Sequence, residues 1–138
     1  MEKGMNPGLG LAILRVVIGV IFITHGVPKV FGGMEGTAGF FGQLGIPLPL
    51  VAAWFIALLE SLGGLALIAG IAVLPISLLL AVHMLAGIVL VHAAQGWYVL
   101  GAGTGGVEFN VLLIAGLLAL ILAGPGMAAV DGRRQAGT

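Results

Sequence analysis

Four stretches of almost unbroken apolar residues decide what this chain can become. They cover roughly residues 9–30, 50–70, 74–93 and 107–123. A run of about 20 apolar residues matches the hydrocarbon thickness of a bilayer at about 1.5 Å of rise per residue. In hydrocarbon each backbone N–H and C=O needs a partner within the segment, so every run is predicted to be an α-helix. The expected fold is all-α, a bundle of four transmembrane helices forming one domain over residues 1–138. Composition agrees: 60% of the residues are hydrophobic and 7% are charged, whereas a soluble domain carries about 25% charged residues. The lipid bilayer is therefore the expected solvent. Lys plus Arg number 5 and Asp plus Glu number 5, so no basic surplus points to nucleic acid. The chain has no cysteine. That excludes a thiol–disulfide relay within it and any thiolate-bound metal or cluster.

The first run is too long for a signal-peptide core and lacks a small-residue cleavage pattern, so it is expected to be retained as a helix. Pro28 falls in its last turn and cannot donate to the carbonyl of Thr24, which loosens that end. Residues 31–49 are glycine-rich. Phe40, Phe41 and Leu44 suggest a short interfacial helix beginning near Thr37. Pro47 and Pro49 mark the entry to the second span, where a missing N–H costs nothing. Gly70-Ile71 makes a tight turn into the third span. Trp97 and Tyr98 form an interfacial pair before the fourth span, which Gly124-Pro125-Gly126 stops. Four spans bring both termini to one side. Lys3, Arg133 and Arg134 outweigh Lys29 on the other side, so both termini are expected in the cytoplasm and the protein in the inner (plasma) membrane.

A charge at the bilayer centre costs about 2.5–3.5 kcal/mol on insertion scales and usually faces protein or water. Arg15, His25, Lys29, Glu60, His83, His92 and Glu108 are therefore the candidates for function. Glu60 and His83 fall about midway along their spans. Arg15 lies nearer the terminal side, and His25, Lys29, His92 and Glu108 lie nearer the other. This describes a polar lining that starts at the midplane and opens outward, with Arg15 as its outlier. On a regular helix Arg15, Phe22, His25 and Lys29 share one face. His83 and His92 fall on nearly opposite faces. Ala53, Ala57, Ser61 and Gly64 make a stripe of small residues around Glu60, suited to close helix approach or to a ligand. Structural readings stand beside the functional ones. Arg15 can snorkel to headgroups or neutralise Glu60, Lys29 can be an interfacial anchor, and Glu108 suits a helix N-terminus. The histidines can be satisfied packing residues.

The chain resembles the DoxX family of small four-helix membrane proteins. The resemblance rests on Arg15 and Gly19, His25-Gly26-x-x-Lys29, Gly45-Ile46-Pro47 and Glu60-x-x-Gly63-Gly64. It continues through Gly70, His83, His92, Glu108, Gly124-Pro125-Gly126 and Asp131. It implies kinship with subunits of a thiosulfate:quinone oxidoreductase and with membrane complexes linked to oxidative stress. The expected function is a subunit of such a quinone-linked complex, with other membrane redox subunits as partners. On this reading Glu60 and His83 handle protons as the catalytic pair, and His25, Lys29 and Arg15 bind a quinone. The alternative is a non-catalytic structural or assembly subunit whose buried charges fix helix register. Three histidines without ligand spacing make haem or a metal the weakest reading. Transport would need a homo-oligomer, which the small-residue stripes permit.

Overall fold

A computed structural model describes residues 6–100 and 105–135. The described residues form helices and connecting turns, without a β-strand. Helix α1 spans Pro7–Pro28, α2 Met34–Gln43, α3 Pro49–Ala69, α4 Val73–Gly87, α5 Glu108–Ala123 and α6 Val130–Gln135. A kinked segment, Lys29–Gly33, follows α1, and a five-residue π-helical turn, Ile88–His92, follows α4. The helical stretches Pro7–Gln43, Pro49–Ala69 and Val73–Gln95 are long and apolar enough to cross a membrane, and Glu108–Ala123 is a shorter apolar helix. Each bundle helix turns one side inward and leaves large hydrophobics such as Ile13, Leu62, Val82 and Leu112 exposed. In a bundle of this composition that outer surface faces lipid.

Helix ends follow local chemistry. Asn6 caps α1, its side-chain oxygen accepting from Leu9 N–H at 3.0 Å. Pro49 occupies the first turn of α3. The segment Lys29–Gly33 begins directly after Pro28 and contains a kink at Phe31 and Gly32. The proline accounts for the interruption, because its ring nitrogen has no hydrogen to give. Helix α2 starts at Met34, three residues ahead of the Thr37 start expected from the sequence.

The closest helix pair is α1 with α3, and glycine makes the approach possible. A Cβ on Gly19 would lie 2.6 Å from Gly64 O, and a Cβ on Gly64 would lie 2.6 Å from Gly19 O. The two backbones therefore touch with nothing between them. Two turns further along α1, Gly26 meets Ser61 with equally little room. Lipid tails are as apolar as leucine, so close packing of this kind, rather than apolar burial alone, joins helices in a membrane. The small stripe on the second span serves this contact: Ala53, Ala57, Ser61 and Gly64 are all buried. Beside it, Ile18, Phe22, Leu67, Leu80, Leu113 and Leu117 fill the core.

The end of the bundle that holds the termini is closed by the chain's own last segment. Met127 N–H donates to Gly8 O at 2.9 Å, and Asp131 N–H donates to Gly70 O at 2.9 Å. The Asp131 carboxylate accepts from Ala72 N–H at 3.0 Å and Val73 N–H at 2.8 Å. It thus caps the start of α4 from a distant part of the sequence. Ala72 has a φ of 48°, a left-handed conformation that costs an alanine about 1–2 kcal/mol. The two bonds to Asp131 hold it there. Both described chain ends lie together, as an even number of spans requires. Of the residues behind the expected cytoplasmic orientation, Lys3 and the side chains of Arg133 and Arg134 lie outside the described structure.

Two outcomes follow. Gly64→Ile should wedge α1 from α3 and cost about 3 kcal/mol or more, seen as a lowered unfolding temperature in detergent, while Leu65→Ile on the exposed side should leave it unchanged. Asp131→Ala should cost about 1–2 kcal/mol, and Ala72→Gly should restore about 1 kcal/mol of it by relieving the left-handed strain.

Candidate functional site

Glu60 is the pivot of the site. It lies about 16 Å along α3 from Pro49, at about 1.5 Å per residue, and is 3% exposed. Both of its oxygens are engaged. Lys29 Nζ donates to Oε2, and His83 Nε2–H donates to Oε1 at 2.9 Å. The three side chains come from the turn after α1, from α3 and from α4, so one carboxylate ties three helices. Lys29 is therefore not a headgroup anchor. Lys29 keeps α-helical φ/ψ and stands two turns beyond buried Phe22 on the inward face, and its ammonium neutralises the charge that burial would otherwise penalise. Lys29 keeps two further N–H groups, and His83 keeps Nδ1, beyond their bonds to Glu60.

These groups line a cavity of about 720 Å³. Its walls also include His25, His92, Asn110 and many apolar side chains from α1, α4 and α5. Helix α2 closes one side with Gly36, Thr37, Phe40 and Phe41. The dimensions suit a small organic ligand held by a few polar groups in an apolar slot. His25 lines the cavity but is largely exposed, and its Nδ1–H donates to Ile21 O at 2.8 Å. His92 Nδ1–H donates to Gly105 O. These bonds to carbonyls fix the tautomers of the neutral rings and leave Nε2 of each as an acceptor.

Two expectations need correction. First, His83 and His92 both line the cavity, although nine residues of regular helix would set them about 180° apart. The π-helical turn Ile88–His92 lies between them. Its extra residue takes back about 100° of rotation and returns His92 to the cavity side. Second, Arg15 does not join the other candidates. It is 2% exposed at the opposite, terminal part of the bundle, and its Nη1 donates to Pro125 O at 2.6 Å. A Cβ on Gly70 would stand 2.8 Å from that same Nη1. Arg15 thus pins the C-terminal segment beneath the α3–α4 turn. It neither neutralises Glu60 nor reaches the cavity.

Glu108 stands at the first turn of α5, where its carboxylate accepts from Val99 N–H at 2.8 Å and fixes the preceding loop. Asn110 is the site residue that sequence reasoning missed. It is 6% exposed, lines the cavity and donates through Nδ2 to Met84 O at 3.2 Å. The available signal was a lone amide just inside an apolar span. Charge dominated the selection, and an uncharged group was passed over. Among the described residues no cluster of three or more His, Cys, Asp or Glu side chains is arranged to hold a metal ion.

The DoxX family model matches residues 10–93, the stretch that carries Lys29, Glu60 and both cavity-lining histidines of the third span. The chain belongs to the DoxX family. A Bacillus subtilis (strain 168) protein named "Putative oxidoreductase CatD" is 36% identical over 123 residues, covering 89% of this chain and 85% of the relative. The Escherichia coli (strain K12) inner membrane protein YphA is 30% identical over 127 residues, covering 89% of each. The inner membrane protein YqjF of the same organism is 30% identical over 128 residues, covering 89% of this chain and 90% of the relative. No solved structure matches the chain. This DoxX protein thus sets its family's membrane bundle around a carboxylate held between an ammonium and an imidazole.

That arrangement predicts strong coupling. Lys29→Met alone should leave a buried carboxylate without its cation and cost about 3 kcal/mol. Glu60→Gln in the same chain should recover most of the loss, because it removes the stranded charge. A double-mutant cycle by detergent unfolding measures the coupling directly.

Proposed function

We propose that this chain is the quinone-binding subunit of an inner-membrane oxidoreductase complex, with both termini in the cytoplasm. The observation that carries the reading is the Lys29–Glu60–His83 network at the wall of an apolar cavity at membrane depth. A quinone needs an apolar slot, a donor for a carbonyl oxygen and a route for protons. The spare N–H groups of Lys29 suit the carbonyl oxygen. His83, hydrogen-bonded to Glu60, is of the type that takes and returns protons near neutral pH. A bound quinone would supply the two-electron chemistry. Glu60 orients the imidazole and balances the Lys29 charge. Phe40 and Phe41 on α2 help to keep water from the polar end.

The name of the Bacillus subtilis relative, and the kinship with thiosulfate:quinone oxidoreductase subunits that the DoxX resemblance implies, support a redox role. The chain has no cysteine for a thiol relay or cluster, so the electron donor belongs to a partner chain or to a soluble substrate. A second reading also has an observation behind it. The same network bonds three helices, which suits a structural or assembly subunit whose charges set helix register.

Purification in mild detergent, with mass spectrometry of proteins and solvent-extracted small molecules, separates the two. The redox reading expects a quinone and a redox enzyme to travel with the wild-type chain. It also expects Glu60→Gln to lower quinone reduction in membranes by about 100-fold. A chain that comes alone and empty, with unchanged reduction in Glu60→Gln membranes, would establish the structural reading instead.

A further inference from the structure

Asn110 has no part in the ion-pair network, yet it is buried at the cavity wall. Its orientation is determined by the backbone of α4. Only the NH2 end of a side-chain amide can donate to the Met84 carbonyl, so Nδ2 faces α4. Gly87 reports the same packing, since a Cβ there would lie 3.2 Å from Nδ2. The carbonyl end, Oδ1, is left over. Among the described residues no donor reaches it. It is also absent from the buried atoms that are sealed in protein without a partner, which are Arg15 Nε, Ser61 Oγ and Ser77 Oγ. Oδ1 therefore keeps some accessible surface, on a side chain that lines the cavity.

The cavity thus offers opposite hydrogen-bonding characters from two elements. Lys29, on the turn after α1, offers only N–H donors. Asn110, on α5, offers an acceptor at Oδ1. A ligand that only accepts leaves Oδ1 without a partner once water is displaced. An unmet buried acceptor is penalised, so the wall discriminates against such a ligand. A ligand carrying a hydroxyl satisfies both sides.

We infer that Asn110 is a specificity-determining residue that selects the hydroxyl-bearing, reduced form of an aromatic redox ligand, a hydroquinone, through a hydrogen bond from its O–H to Oδ1. This rests on the quinone-binding reading and deepens it, because it states which redox form the site holds more tightly. The bond requires no electron transfer.

The test is isothermal titration calorimetry on the full-length protein in detergent. The titrants are a short-chain ubiquinone and, under argon, its hydroquinone. Wild type should bind the hydroquinone more tightly than the quinone. Asn110→Leu should weaken hydroquinone binding by about tenfold and tighten quinone binding, because the acceptor that quinone leaves unmet is gone. Asn110→Ser, which keeps a hydroxyl oxygen and is smaller, should lose less. It also serves if the leucine variant does not fold. Equal weakening of both forms, or no change in either, overturns the role of Asn110 while the quinone-binding reading survives. A wild-type protein that binds neither form overturns both.

Discussion

A carboxylate halfway through a membrane helix is the constraint on which the rest of this structure depends. Its hydration is lost, and the protein must supply the replacement. Lys29 and His83 supply it, one to each oxygen. To do so, Lys29 at the end of α1 and His83 on α4 must both stand within reach of Glu60. The close contact of Gly19 with Gly64 and of Gly26 with Ser61 brings α1 near enough for Lys29 to reach. Helix packing and charge compensation are thus parts of one arrangement. Neither would hold without the other, because the long lysine side chain has only so much reach.

The two ends of the bundle are built on different principles. At the terminal end, the last segment folds back and the polar groups are sealed inside the protein. Arg15 is spent on Pro125, and Asp131 is spent on the start of α4. At the other end, the polar groups are positioned but not exhausted. Lys29, His83, His92 and Asn110 each use part of their hydrogen-bonding capacity on the protein and line the cavity. That difference separates architecture from site. A buried charge sealed inside the fold acts as a fastener, and one that borders a cavity with hydrogen-bonding capacity to spare can meet a ligand.

Irregular helix geometry does much of the positioning. The kinked segment after Pro28 and the π-helical turn Ile88–His92 both sit beside the cavity. Widened turns shift the face that following residues present, and they are tolerated at membrane depth where protein or a cavity surrounds them. The kink at Phe31 and Gly32 carries the chain into α2, which covers the cavity. The π-helical turn returns His92 to the wall.

How much of this was legible beforehand depended on whether a signal is local. Apolar length, prolines and glycine punctuation are local, so the sequence alone determined an all-helical membrane bundle, and it singled out Glu60, His83, His25 and Lys29 as costly enough to need a reason. It could not choose Arg15's partner, since two basic residues on one helix were available to a single carboxylate. It placed His92 on the wrong face because rotation was counted on a regular helix. It passed over Asn110 because an amide becomes informative only when its donor is seen to be fixed by Met84. The tertiary structure decided those points, and for one physical reason: pairing in a low-dielectric interior is set by which side chains the helix contacts bring within reach, and reach is a property of the packed bundle and not of any one span.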